Sequence, residues 1–224
     1  MFHKINILHV PKTAGTSIRL TLKQHFLYRH FFDYHSHDIC FDDLDISSKK
    51  RVVIVLRSPV EWYISLYTFK MCSNPDDTIK IYPSMANNSW EDFIADCVTR
   101  GNGIEAIRKW FRPWEPYHDR IMQHLCTDEG IYSAFYRFYA GLGTEKISIL
   151  PHNTGLFVIK MENLESDFNK VVRIVFPFFP KIQFKRENVT PKTALNKSTA
   201  MHEKNFLIQQ KDSQVFSVLS NVNA

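Results

Sequence analysis

The apolar positions change period along the chain, and those changes outline its elements. Ile5 to Val10 is short and apolar, the pattern of a buried strand, and Thr16 to Phe26 then recurs at helical spacing. Val52–Val53–Ile54–Val55–Leu56 is a continuous β-branched run, which predicts a strand buried on both faces of a parallel sheet. Pro59 stands where proline opens a helix, and Val60 to Phe69 continues it. Helical spacing also covers Trp90 to Thr99, Tyr117 to Leu125 and Ile131 to Ala140. Leu156 to Lys160 predicts a third strand, followed by a helix from about Glu162 to Val175. A last helical pattern runs from about Thr199 to Leu219, with a soft break near Lys211–Asp212.

Arg29 to Asp45 reads as irregular, dense in His, Asp and aromatic residues. Cys72 to Asn88 holds Pro75 and Pro83 among Asn, Asp and Ser, a long loop of a length that suits a substrate lid. Lys185 to Ala194 is a polar loop. Strand–helix alternation around buried strands predicts an α/β fold, a central parallel sheet flanked by helices.

At ~150 residues per domain, a chain of 224 residues allows one domain or two. Hydrophobic residues at 44% and charged residues at 23% are ordinary for a globular chain and exclude a disordered, collagen-like or coiled-coil one. The net charge of +5 suits an anionic ligand without demanding nucleic acid. Cys40, Cys72, Cys97 and Cys126 form no CxxC pair and have no metal-like spacing, so reduced thiols are expected. No stretch approaches the ~18 apolar residues of a membrane span, and no secretory leader is evident. The expectation is a cytoplasmic chain without a membrane span.

The sharpest chemical feature is His9–Val10–Pro11–Lys12–Thr13–Ala14–Gly15–Thr16–Ser17, lying between a strand and a helix. Backbone N–H groups of Thr13, Ala14, Gly15, Thr16 and Ser17 can line one concavity, with the helix N-terminus adding its positive end. Gly15 permits an otherwise strained backbone and a close ligand approach. Lys12 places a cation on the anion, and Thr16 and Ser17 offer hydroxyl donors. The pattern is not a Walker A sequence, which carries its lysine late and has two glycines, so ordinary ATPase or GTPase chemistry is disfavoured.

A second anion site follows the β-branched run. Arg57 ends that strand, where ligands bind in open α/β sheets, and its planar fork suits two phosphate oxygens. Ser65, two helical turns on, can join it. Between the two segments, Asp33–Tyr34–His35–Ser36–His37–Asp38 supplies histidines with an ordinary pKa of about 6.5, suited to a general base. If that segment is extended, His35 and His37 face the same way.

Pro11–Lys12–Thr13–Ala14–Gly15–Thr16–Ser17 resembles the 5′-phosphosulfate loop of sulfotransferases that use 3′-phosphoadenosine 5′-phosphosulfate (PAPS). Within that superfamily it is most similar to the carbohydrate branch that includes heparan sulfate 2-O-sulfotransferase. The segment from Val52 to Tyr67 resembles the family's 3′-phosphate motif, with Ser58 where the family often has Asp or Asn, and Trp62 where an Arg is usual. His35–Ser36–His37 resembles the branch's His–Gly–His segment, and Lys185 to Thr193 a late loop that closes over the nucleotide.

The resemblance implies one sulfotransferase domain over residues 1–224 with a P-loop-like sheet, and a helical acceptor-binding insertion over about 72–155. It implies Lys12, His35 and His37 as catalytic residues. Lys12, Thr13, Ala14, Gly15, Thr16, Ser17, Arg57, Ser65, Thr190 and Lys192 would bind PAPS, leaving adenosine 3′,5′-bisphosphate as product, with no metal. Glu61, Glu91 and Glu162 are alternative bases. The acceptor would be a carbohydrate or another hydroxyl compound. The insertion's Trp90, Trp110, Trp114, Tyr117, Tyr132, Tyr136 and Tyr139, with Arg100, Arg108, Lys109, Arg112, Arg120 and Arg137, are candidates to meet it, although Phe135, Tyr136, Phe138 and Tyr139 recur at helical spacing, which marks most of these aromatics as core. A P-loop nucleotide kinase, and a catalytically silent nucleotide- or glycan-binding module, are the alternatives.

Overall fold

The computed structural model describes residues 4–24, 28–72, 90–98, 106–107, 117–126, 128–144, 155–184 and 199–222. Its centre is a four-stranded, all-parallel sheet in the order β2-β1-β3-β4, built from β1 (Ile5–Leu8), β2 (Phe32–His35), β3 (Val52–Leu56) and β4 (Leu156–Lys160). β3 is buried along its whole length, as its unbroken β-branched run requires. The sheet separates two cores. On one side Ile5, Ile7, Val53 and Val55 pack with Ile18 and Leu22 of α1 (Gly15–Gln24). On the other, Leu8, Val52, Ile54 and Leu56 pack with Trp62 and Tyr63 of α3 (Pro59–Cys72) and with α4 (Trp90–Val98).

That second core also holds α6 (Ile131–Ala140), every residue of which is buried. α2 (Tyr28–Phe31), α5 (Tyr117–Met122), α7 (Leu164–Val175) and α8 (Thr199–Ser220) complete the described helices. None is long and apolar enough to cross a membrane.

Two expectations need correction. The stretch read as irregular contains β2, whose Phe32 and Tyr34 join the α1-side core while Asp33 and His35 alternate away from it. Four residues with two apolar positions give little periodic signal. α8 also runs without a break through Lys211–Asp212. Asp212 is fully buried in phase with Ile208, Val215 and Leu219. Its carboxylate accepts hydrogen bonds from Tyr63 Oη (2.9 Å), Ser133 Oγ (2.6 Å), Ser133 N (3.1 Å) and Gly130 N (3.2 Å). An ionisable residue on the apolar stripe therefore ties α8 to α3 and to the start of α6.

The loops expected over Cys72–Asn88 and Lys185–Ala194 lie almost wholly outside the described residues. Gly155, with φ +73°, precedes β4 and accepts from Val52 N at 2.9 Å. A Cβ there would collide with the Lys49 and Lys50 backbone.

Candidate anion-binding site

The chain leaves β1 to build β2 on one side, then returns to build β3 on the other, so strand order reverses between β1 and β3. Such a switch point opens a crevice at the carboxyl ends of the strands, where α/β proteins bind ligands. The turn after β1 contains Lys12, and the residue after β3 is Arg57. The two segments touch there. Arg57 Nη1 donates to the Lys12 carbonyl oxygen at 3.1 Å, and Trp62 Nε1 donates to the Pro11 carbonyl at 2.8 Å. Trp62, the departure from the resembled motif, thus holds the loop from below.

Lys12 and Ala14 have φ of 64° and 60°, in the left-handed region that disfavours side chains by about 1–2 kcal/mol per residue. Backbone with left-handed residues interspersed turns N–H groups into a shared concavity, the anion-binding nest. Strain of this kind persists where the surroundings over-determine it, and it gathers at binding sites. Here the Arg57 and Trp62 bonds fix the carbonyls, and Thr13 Oγ1 donates to Val10 O at 2.7 Å. The Thr13 hydroxyl is therefore spent inside the loop. Thr16 is half-buried and Ser17 buried in the first turn of α1.

Gly15 plays a different part from the one expected. It is absent from the positive-φ residues, and the strain falls on its neighbours. A Cβ on Gly15 would collide with the His9 imidazole, so the glycine makes room for that ring. Burial, followed by the fields of His37, Arg19 and Lys12, pushes the His9 pKa down to about 3. His9 is a neutral wedge under the loop.

The end of β3 is pinned by two tyrosines of α6. Arg57 N donates to Tyr136 Oη (3.0 Å), which donates in turn to Val55 O (3.1 Å), and Tyr132 Oη donates to Arg57 O (2.7 Å). The Arg57 side chain is 15% exposed and pairs with Glu61 at 3.4 Å. Ser58 caps α3: its Oγ accepts from Glu61 N at 3.4 Å and Pro59 follows at the first helical position. Ser65 is buried on the same helix face as Trp62 and Phe69, and Lys12 Nζ lies 3.7 Å from the centroid of the Phe69 ring. That face of α3 meets the loop, which brings Ser65 to the side of α3 that carries Lys12.

The two histidines diverge. β2 stops at His35, whose Nε2–H donates to Asn6 Oδ1 at 2.8 Å, back along β1, and burial lowers its pKa. His37 belongs to the turn beyond. Its Nδ1–H donates to the His9 carbonyl at 2.9 Å, and its ring stacks 4.0 Å from the His9 ring. A carbonyl accepts only, so in the neutral ring this bond puts the proton on Nδ1 and the lone pair on Nε2. Tyr139 Oη donates to the His37 carbonyl at 2.7 Å, and Arg120 Nη1 to that of Asp38 at 2.9 Å.

Lys12, Thr13, Ala14, Gly15 and Arg57 therefore meet at the carboxyl ends of β1 and β3, with buried Ser65 on the α3 face toward Lys12 and His37 against His9, while His35 bonds back along β1. Thr190 and Lys192 lie outside the described residues, as do Arg100, Arg108, Lys109, Trp110, Arg112 and Trp114. Arg137 is buried in an ion pair with Glu129 at 2.5 Å, and Arg120 pairs with Asp43 at 2.7 Å, so both serve the fold. Glu162 is exposed in the turn after β4, and Glu91 sits in the first turn of α4. Sequence reasoning missed His9, Trp62, Tyr132 and Tyr136 as site supports. Only Trp62 carried a signal, its departure from the motif. Comparison with family models, curated proteins and solved structures finds no match to the chain.

Proposed function

We propose that the chain is a PAPS-dependent sulfotransferase with a P-loop-like sheet, moving a sulfuryl group to an acceptor hydroxyl on a carbohydrate. The observation that carries this reading is the meeting of two cationic segments, 45 residues apart, at the switch point of the sheet. One is a strained nest with Lys12, the other a strand end with Arg57 and Ser65. A donor with anionic groups on both the 3′ and the 5′ oxygens of its ribose needs two such sites. We read the compartment as cytoplasmic, in keeping with the free thiols of Cys40, Cys97 and Cys126.

In this mechanism the nest and Lys12 hold the phosphosulfate end, and Lys12 offsets charge that develops on the leaving phosphate oxygen. Arg57 and Ser65 hold the 3′-phosphate. His37 Nε2 takes the proton of the acceptor hydroxyl as the new O–S bond forms and the bond from sulfur to the phosphate oxygen breaks. His37 rather than His35 is the proposed base, because its lone pair and its place beside the loop suit that role.

Calorimetry tests the binding half. Each hydrogen bond to a charged group contributes about 1.5–3 kcal/mol, so adenosine 3′,5′-bisphosphate should bind at least about tenfold tighter than 5′-AMP. Equal affinity would remove Arg57 and Ser65 from the assignment. Transfer from labelled PAPS, screened over polysaccharides, glycolipids and small alcohols, tests the chemistry. Lys12→Ala and His37→Ala should each abolish it, with His37→Ala still binding the bisphosphate. A chain that binds the bisphosphate but transfers to none of these acceptors is the silent binding module instead.

A further inference from the structure

A second cationic cleft, lined by neither Arg57 nor His37, lies on the α1 side of the sheet. It has a volume of about 340 Å³, lies between α1, α2 and the edge strand β2, and is the size of a small-molecule site. It is lined by Tyr28, Phe32, Tyr34, Leu22 and Ser36 together with three cations, Arg19, Lys23 and Arg29. Arg19 and Lys23 stand four residues apart on α1 and so share one face, where like charges repel by a few tenths of a kcal/mol. Arg29 adds a third cation from α2.

Among the described residues no carboxylate lines the cleft itself and none of the three cations is in an ion pair; a nearby acid is Asp38, whose carboxylate accepts from the hydroxyl of the lining residue Ser36. The neighbouring acid on β2, Asp33, alternates to the other face of the strand and pairs with Lys4 at 2.8 Å. Among the described residues, the three exposed cations over these aromatic side chains have no salt-bridge partner.

We infer that this cleft binds a small, multiply charged organic anion, a phosphate or sulfate ester on a ring. Arg19 and Lys23 lie about 6 Å apart along the helix axis, a span that fits two ester groups on one ring rather than a single ion. The ring body would lie against Tyr34, with the nearly buried Tyr28 and Phe32 behind it. The site is linked to the loop without being part of it. Tyr34 Oη donates to the Gly15 carbonyl at 3.2 Å, and the Arg19 charge acts on both Tyr34 and His9. His37 itself does not line the cleft, and its ring packs against His9 and Tyr117. The inference therefore stands whether or not the chain transfers sulfate.

The test is calorimetry at about 50 mM salt with three probes: inositol hexakisphosphate, sucrose octasulfate and inorganic tripolyphosphate. The ring esters should bind saturably and more tightly than tripolyphosphate, and whichever ester binds tighter names the source. The triple variant Arg19→Ala, Lys23→Ala, Arg29→Ala should weaken the better ester at least tenfold. A control with Lys50, Lys170 and Lys181 changed to Ala loses the same charge outside the cleft and should bind as the parent does. Lys12→Ala should also leave ester binding intact. Equal weakening by the control triple means diffuse attraction to a basic protein and overturns the proposal, as does loss of binding in Lys12→Ala, which would move the anion to the loop. The three side chains are exposed; should the triple variant misfold, Lys23→Glu alone must still weaken binding. Adenosine 3′,5′-bisphosphate, titrated in parallel, should be unaffected by the cleft variant, and its failure to bind the parent would count against the sulfotransferase reading alone.

Discussion

Asp212 offers the most quantitative test of the packing. Two effects oppose each other there. Four donors favour the carboxylate, but complete burial disfavours charge and wins, raising the pKa from 3.8 to about 6. The folded state then holds a proton that the unfolded chain has lost, so this group's contribution is full below pH 3.8 and disappears as pH rises through 6. At about 1.4 kcal/mol per pH unit the whole effect is about 3 kcal/mol, of which about 2 kcal/mol falls between pH 4.5 and 7.5. Asp212→Asn removes the titration while leaving an acceptor for Ser133 and Gly130. Urea unfolding of both proteins, followed by fluorescence of the buried Trp62 and Trp90, gives their stabilities at each pH. Parent minus variant should fall by about 2 kcal/mol across that interval. Other carboxylates cancel in the difference, so a flat difference would show that the donors, not burial, set the ionisation of Asp212.

Gly15→Ala should force Cβ against the His9 ring, at a cost of about 1–3 kcal/mol in thermal or urea unfolding. His9→Ala should recover much of that loss in the double variant, and no recovery would mean the glycine is needed for its backbone instead. Tyr136→Phe leaves the Arg57 N–H without its acceptor and should cost about 1–3 kcal/mol. It should also weaken adenosine 3′,5′-bisphosphate binding by freeing the end of β3; unchanged affinity would show that Arg57 is positioned without it.

The sequence exposed the site's chemistry better than its support. β3 and its helix were legible because a β-branched run followed by Ser58–Pro59 has few alternative structures, and Arg57 was legible through its place at that junction. β2 was not, since Phe32 and Tyr34 are its only inward apolar side chains and the edge needs no longer run. Lys12 could be read as a cation from its loop. That Lys12 and Ala14 carry the strain, and that Gly15 yields to an imidazole, depends on a ring packed across the turn. Helical spacing put Tyr136 in the core, yet its hydroxyl bond to the end of β3, and that of Tyr132, span 79 and 75 residues, beyond any local pattern. Asp212 misled for a related reason: a carboxylate on an apolar stripe reads as an interruption until its donors, on two other helices, are known.

The bond between Tyr63 and Asp212 closes a separation of 149 residues. On a ribosome adding about 5–20 residues per second, Tyr63 is made roughly 7–30 s before its partner. Through that interval the faces of α3, α4 and α6 that α8 will cover, including the Tyr63 hydroxyl and the Ser133 side chain, have no native cover. The nascent chain can assemble β1 and β3 early, but its larger core stays open until α8 emerges. A message truncated before residue 199 would thus yield a product with a standing apolar surface, the kind of surface that chaperones and proteases recognise.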